Sequence, residues 1–592
     1  MAENTWRGGY FGRALVIDVT DGSSRVVALP EQVLRRHLGG AGLGSWLLTE
    51  LAPPGADPLA PEAPIAFVFS PLVGTPLTTS AKFAVVAKSP LTGMLTDALA
   101  SSQFALAGKR TGFDAIVLHG AAARPCTVTV DEGEVRTVDA QPLWGRPAAD
   151  AEALVREQLG RTWQVASIGS AGERGVRYAT ISHDGRHAGR GGLGAVLGAK
   201  NVKALAVRGS ARVAVAHPEG VLTAARDLRT RSLGRATQKY REIGTLANVL
   251  SFNALNTLPT RNFQAATFEH AAQLAPGELE QARTVTKSSC ASCTIGCAHI
   301  YRRGTGAGVR MEYQSVSALG AMCGVGDAGA VLAATERCDE LGIDTISAGG
   351  TIAWAMECAE RGLIDAPWLR FGDPAALLRA LDEIGAGNGL GPLLALGSRA
   401  ASAVVGQGSQ AFAPHVKGLE LPGYEPRTMH AMALGLAVNA RGADHNRSGA
   451  YETDLSGESD RMNGGAAQVA GAIEAEDRSA VMDSLILCKF LRGVFDEPFA
   501  EWAALLSTVT GWDVDEAELR ATAQHIVLSK RAFNLREGWQ PADDWLPERL
   551  LTESLELASG RETTLTPQRL RAMVDAYWAA RGLDEQGRPR PA

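Results

Sequence analysis

The chain is short of cysteine, short of net charge and without a long apolar run. Its 592 residues include only 8 cysteines. A formal net charge of −6 and a pI near 6.1 provide no general attraction for nucleic acid or an anionic membrane surface. The longest apolar stretches, such as Pro64-Ile-Ala-Phe-Val-Phe69, have strand length and cannot span a bilayer. The first residues, Met1-Ala-Glu-Asn-Thr-Trp-Arg7, show no basic segment leading into an apolar one, so a cytoplasmic location is expected. What remains is an ordinary globular composition, 45% hydrophobic and 21% charged. The length calls for several cores, about three or four by size alone.

The scarce cysteines are concentrated. Cys290-Ala-Ser-Cys293-Thr-Ile-Gly-Cys297 places three thiols where they can converge on one soft metal centre, and Cys488 is available as a fourth ligand. Four thiolates around iron and sulfide make a [4Fe–4S] cluster, a device for moving single electrons. Zinc held by the three cysteines and His299 is the competing assignment. A radical-SAM site is excluded by spacing, since C-x2-C-x3-C reverses the order such sites use. Clustered thiols without an export signal indicate metal ligation rather than disulfides. The 66 glycines provide many places for tight turns or close approach to a ligand.

The first 210 or so residues are predicted to be strands and turns. A hairpin over 14–19 and 25–29 is joined at Asp21-Gly22, and further strands fall at 65–69, 83–87, 115–119, 126–130, 165–168, 177–181 and 204–207. Helical patterns interrupt them at 30–51 and 150–160. From about Pro218 long Ala/Leu/Glu/Arg amphipathic stretches take over, at 330–341, 346–361, 375–384 and 480–491. The expected fold is α+β: a β-rich cofactor-binding N-terminal domain (1–212), a helical domain carrying the cysteine run (213–420) and a helical C-terminal domain supplying Cys488 (421–592). No internal repeat is visible.

Gly189-Arg-Gly-Gly-Leu-Gly194 fits G-x-G-x-x-G, but no strand runs straight into it and the first acid after it is Glu219. A dinucleotide site needs both features. The better assignment is a glycine- and arginine-rich loop whose amides approach an anion, phosphate above all. Gly39-Gly-Ala-Gly-Leu-Gly44 is a weaker match, since a helical stretch precedes it. Asp344 has the position of a helix N-cap. Asp483, among Val, Met, Leu and Ile, needs a partner if buried, and the N–H-rich edge of a pterin is one.

Several blocks together resemble the tungsten-containing aldehyde ferredoxin oxidoreductases. They are Pro71-Leu-Val-Gly-Thr75, Lys88-Ser-Pro-Leu-Thr-Gly93, Gly112-Phe-Asp-Ala-Ile116, Ala166-Ser-Ile-Gly-Ser-Ala-Gly172, the run 188–201, the three-cysteine segment, Leu341-Gly-Ile-Asp-Thr-Ile-Ser347 and Asp483-x4-Cys488. The resemblance implies a tungsten (or molybdenum) bis-molybdopterin centre beside one [4Fe–4S] cluster, with Mg2+ bridging the pterin phosphates. It implies Cys290, Cys293, Cys297 and Cys488 as cluster ligands. Pterin contacts are implied at Lys82, Ser101, Arg186, Ala188, Gly189, Arg190, Gly191, Gly192, Asp339, Ile343, Asp344, Thr345, Asp483 and Leu487. Glu312 matches a glutamate near the metal, and His445 a histidine facing the substrate.

There are departures. Lys82 stands where the family usually has an arginine, so the charge is kept and the bidentate fork lost. Leu99-Ala-Ser-Ser102 replaces an Asn-Ser-Gly-Gly run, and no histidine lies between His299 and His415 to hold a metal at a dimer interface. The expected reaction is oxidation of an aldehyde to a carboxylate, with Glu312 as general base and His445 as hydrogen-bond donor. Electrons would pass to a ferredoxin-like carrier or a small iron–sulfur or flavin subunit within a homo- or hetero-oligomer. The alternatives are reduction of an activated acid or aromatic thioester, and a non-catalytic electron-transfer subunit that has lost the pterin.

Overall fold

The computed structural model describes residues 6–281, 284–302, 308–458 and 460–590. The fold is α+β, with its β-structure concentrated at the N-terminal end. Two six-stranded sheets form there. The first runs Ser24–Ala28, Arg13–Asp18, Ala115–His119, Ile65–Val68, Lys82–Lys88, Leu95–Ser101 across its width. The second runs Glu134–Asp139, Cys126–Asp131, Val202–Arg208, Gln164–Ile168, Ile181–His183, Arg186–Ala188.

Taken in chain order, the two sheets have the same topology. Each opens with a hairpin, closes on a parallel pair made by its first and last strands, and fills the remaining positions with antiparallel neighbours. The expectation of no repeat is therefore corrected at the level of structure. Apolar side chains from both sheets, among them Phe67, Phe83, Phe104, Val128, Ile168 and Leu205, share one buried core. The central strands are apolar on both faces because helices or the partner sheet cover each side.

Other expectations are refined. The 30–51 helical stretch is two helices, Glu31–His37 and Gly40–Leu51, broken where Leu38 takes φ 59°. Residues 177–180 are not strand, because Arg177 and Thr180 donate their amides to Ala395 and Gly342 of the helical region. The strand there is Ile181–His183, which turns tightly at Asp184-Gly185 into Arg186–Ala188. The helix expected at 480–491 ends at Leu485: Ile486 is left-handed, and a short 3₁₀ segment, Lys489–Val494, follows.

The helical part carries one large core whose members run from Leu91 to Leu583, so side chains on both sides of residue 420 pack together. A second cluster joins first-sheet residues to the Ala466–Leu485, Pro498–Thr510 and Glu516–Arg536 helices. Gly40 is needed for that union: a Cβ there would lie 2.3 Å from the Asp483 carbonyl oxygen. The glycines of 39–44 thus serve helix packing. Among the described residues no single helix is long and apolar enough to cross a membrane.

Candidate functional site

The three-cysteine segment is the loop between strands Thr284–Ser288 and Ala298–Arg302. Cys488 lies just past the Ala466–Leu485 helix. Thr79, a non-glycine residue at φ 66°, ties the two together: its amide donates to the Ser292 carbonyl (2.7 Å), and its Oγ1 accepts from the Cys488 amide (3.3 Å). Thr78 and Thr294 add a hydroxyl contact at 2.8 Å. All four cysteines are free and half-buried. Burial, then the neighbouring Cys488 charge, pushes the Cys293 thiol up to about 11 and Cys297 higher still. Such thiols give up their protons when a metal binds, so binding is coupled to proton release.

His299 turns Nδ1 to the Cys297 carbonyl and Nε2 to the Glu242 carbonyl, each at 3.1 Å. No three His, Cys, Asp or Glu side chains among the described residues converge on a single ion. With both ring nitrogens turned to backbone carbonyls, His299 is not presented to the three thiols as a fourth zinc ligand.

Beside Cys488 is a cavity of about 280 Å3 lined by Lys82, Arg190, Arg441, Arg447 and Lys489 against two carboxylates, Asp444 and Asp483. Five cations facing two acids favour an anionic occupant. Gly189 presents its backbone to this space, and a Cβ there would touch nothing within 4 Å. Asp483, buried at the end of its helix, is ion-paired through Oδ2 with Arg447 Nη1 at 3.2 Å and through Oδ1 with Lys489 Nζ at 3.1 Å. An excess of positive charge and an open glycine suit the phosphates of a pterin.

The loop Gly189–Gly192 is held from behind. Arg190 donates to Asp344 Oδ2 (3.0 Å), the Ala443 carbonyl (2.7 Å) and the Glu420 carbonyl (2.6 Å). Arg441 donates to the Arg190 carbonyl at 2.8 Å and to Asp444 Oδ2 at 2.8 Å. Gly191 is packed against Thr96, and Gly192 against the Arg177 carbonyl. Asp344 is a true N-cap, accepting from the Ile346 and Ser347 amides at 3.2 Å each, and it is also paired with Arg190. Ser101 pairs across the sheet with Lys82. Ala188, Ile343 and Leu487 are buried in the core. Asp339 is apart from this group: its side chain is 41% exposed and paired with His187.

A second cavity, about 480 Å3, adjoins the first through Arg190, Asn446 and Phe490, which line both. Glu312, His445 and Thr345 all face it. Burial raises the Glu312 pKa above its ordinary value, while the Thr245 hydroxyl, donating at 2.5 Å, and the Arg186 charge act the other way. Arg310 pairs with the same carboxylate. Thr245 also accepts the Tyr313 amide at 3.0 Å, fixing its orientation. The charge of Arg186, itself largely buried, favours the ionised forms of both Glu312 and Cys297. Burial drives His445 down to about 3, so its ring is neutral, and its buried Nδ1 has no partner.

Thr79, Thr245, Arg441 and Arg447 were not singled out from sequence. The last two had a signal: Arg441-Gly-Ala-Asp-His-Asn-Arg447 packs three charges around His445 in an otherwise apolar stretch.

The doubled β-region, the four-cysteine site and the paired cavities define an α+β scaffold whose class comparison identifies as an oxidoreductase family. Residues 14–209 match the family described as "Aldehyde ferredoxin oxidoreductase, N-terminal domain", and 223–592 match "Aldehyde ferredoxin oxidoreductase, domains 2 & 3". The chain belongs to the aldehyde ferredoxin oxidoreductase family. It is 35% identical to the tungsten-containing aldehyde ferredoxin oxidoreductases of Thermococcus kodakarensis and Pyrococcus furiosus, over 98% of this chain and 97% of each relative. A P. furiosus protein described as "Aliphatic sulfonate oxidoreductase, WOR-like subunit" is 28% identical over 98% of this chain and 96% of its own. The fold is shared with the active-site complex BamBC of benzoyl coenzyme A reductase, at a TM-score of 0.84 and 22% identity, covering 98% of this chain and 96% of that one.

Proposed function

We propose that this chain oxidises an aldehyde, with water, to a carboxylate. Three protons and two electrons are released for each aldehyde consumed. The observation that carries the reading is the placement of Glu312 and His445 on one cavity that shares Arg190, Asn446 and Phe490 with the cationic cavity beside Cys488. A tungsten or molybdenum bis-pterin centre, when bound, supplies the two-electron acceptor and a Lewis acid for the carbonyl. Lys82, Arg190, Arg441, Arg447 and the Gly189 backbone would hold its anionic groups, and the Asp483 carboxylate, ion-paired with Arg447 and Lys489, would face its N–H edge.

Glu312 takes the proton of the attacking water. Its raised pKa brings it closer to the operating pH, where a general base works best. Neutral His445 donates an N–H to the substrate oxygen as negative charge develops there. Cys290, Cys293, Cys297 and Cys488 would hold a [4Fe–4S] cluster, which would supply one-electron transfer. The stretch 222–255 exposes Leu222, Leu233, Ile243, Leu250 and Leu255 together with Arg226, Arg229, Arg235 and Lys239, against the acids Asp227 and Glu242. Exposed apolar side chains among an excess of basic ones suit an acidic ferredoxin-like carrier or a small iron–sulfur or flavin subunit in the cytoplasm.

The test is anaerobic aldehyde-dependent reduction of a viologen dye by the metal-loaded protein and by Glu312→Gln. Turnover lost in the variant at unchanged metal content supports the reading. Dye oxidation by an aryl thioester, with no aldehyde oxidation, would instead establish the reductive alternative.

A further inference from the structure

We propose that the cavity around Glu312 and His445 selects aldehydes bearing an aromatic ring, on the carbonyl carbon or one methylene away, over short aliphatic aldehydes. This rests on the aldehyde-oxidising function proposed above and adds the substrate class. Aromatic residues make up only 6% of the chain, yet Tyr240, Phe252, Tyr313, Tyr424, Tyr451 and Phe490 all line this one space.

Their arrangement is ordered. Tyr240 stacks on Phe490 with centroids 4.0 Å apart, next to the cationic cavity that Phe490 also lines. Tyr424 stacks on Tyr451 at 5.1 Å, and the His445 ring is tilted against Tyr424 at 5.5 Å. Phe252 links Tyr313 to the second of these groups, edge-on to Tyr313 at 5.0 Å and tilted to Tyr424 at 5.6 Å. The Tyr313 hydroxyl is turned into the protein, donating to the Gly423 carbonyl at 2.5 Å, and the Tyr451 hydroxyl is engaged by Arg492 on the lining itself. Neither hydroxyl is therefore left without a partner.

The charged groups on the lining are already engaged. Arg310 pairs with Glu312, Arg492 with Glu452 and Tyr451, and Lys239 donates to Asn248 Oδ1 at 3.0 Å. The space of about 480 Å3 lies within the range of ordinary small-molecule sites and far exceeds what a two-carbon aldehyde fills. A short aliphatic substrate would leave the rings facing water. An aryl group would cover them through edge and stacked contacts while its carbonyl reached Glu312 and His445.

The experiment compares kcat/KM for benzaldehyde, phenylacetaldehyde, acetaldehyde and propionaldehyde with the holoenzyme under anaerobic conditions. It also measures binding of benzoate against acetate to the same holoenzyme by calorimetry. The expected result is kcat/KM about ten-fold or more higher for the aryl aldehydes, as burial of a ring in an apolar pocket predicts, with benzoate bound more tightly than acetate. In Phe252→Leu and Phe490→Leu the aryl-to-aliphatic ratio should fall several-fold, chiefly through KM. These replacements keep an apolar side chain and remove the ring. Equal or better use of acetaldehyde, or no preference for benzoate, would overturn the proposal. If no aldehyde were oxidised while benzoate still bound over acetate, the reaction assignment would fail and the aromatic selectivity of the cavity would stand.

Discussion

Two helix ends border the two cavities, and they stop in the same way. Helix Ala328–Leu341 is followed by left-handed Gly342 (φ 73°), buried Ile343 and Asp344. Helix Ala466–Leu485 is followed by left-handed Ile486 (φ 62°), buried Leu487 and Cys488. An aspartate precedes each turn at the same spacing, Asp339 and Asp483. Each end is also clasped from the β-region. The Asp344 amide donates to the Tyr178 carbonyl just ahead of one strand, and the Cys488 amide to Thr79 just ahead of the matching strand of the other sheet. One scaffold, used twice, thus delivers a carboxylate on one side and a thiol on the other. What differs is burial: Asp483 is 2% exposed between two cations, whereas the Asp339 side chain is 41% exposed.

The sharpest way to break the pairing is at its redox end. Cys488→Ser should abolish cluster binding, since a mostly protonated hydroxyl replaces a thiolate at iron. Serine at Cys126, Cys323, Cys338 or Cys358 should leave iron content intact, as measured by iron analysis and visible absorbance.

On the other side Thr345, next to Asp344, faces the cavity of Glu312 and His445. Glu312→Gln should lower kcat by about 10²–10⁴-fold at unchanged metal content. Burial raises the Glu312 pKa, so its base form is lost as pH falls through a value above the ordinary carboxylate range. The wild-type rate should therefore drop on the acidic side, and that limb should be absent in Glu312→Gln. His445, held near 3, should add no inflection near neutrality.

The matched aspartates should part company. Asp483→Asn removes a charge buried against Arg447 and Lys489 and should cost about 3–5 kcal/mol, with lower pterin content. Asp339→Asn, at the half-exposed position, should cost under about 1 kcal/mol. Denaturant unfolding of the two variants checks the contrast. An intermediate loss is expected for Gly342→Ala, about 1–2 kcal/mol, because an L-residue must then take the left-handed conformation.

The cysteine loop, most strands and the Asp344 cap were legible because each depends on local residue type and spacing. The doubled sheet was not, since matched strands share topology rather than residues: Lys82-Phe-Ala opens one and Ile181-Ser-His the other. The helix seemed to continue through Ile486 because its apolar pattern does. The left-handed turn there is a tertiary outcome, with Leu485, Ile486 and Leu487 all fully buried. Thr245 had no signal at all; a lone threonine after Gly244 acquires its role only when Glu312 folds against it. Pairing between Arg190 and Asp344, 154 positions apart, is likewise invisible to local reading.

The central claim is that two cavities and four thiols serve one pterin-metal centre and one cluster. Elemental and pterin analysis of the anaerobically prepared protein tests it most directly. The account predicts about four iron atoms together with tungsten or molybdenum and pterin in every chain. Iron with neither pterin nor a heavier metal, after growth with tungstate and molybdate, would contradict it.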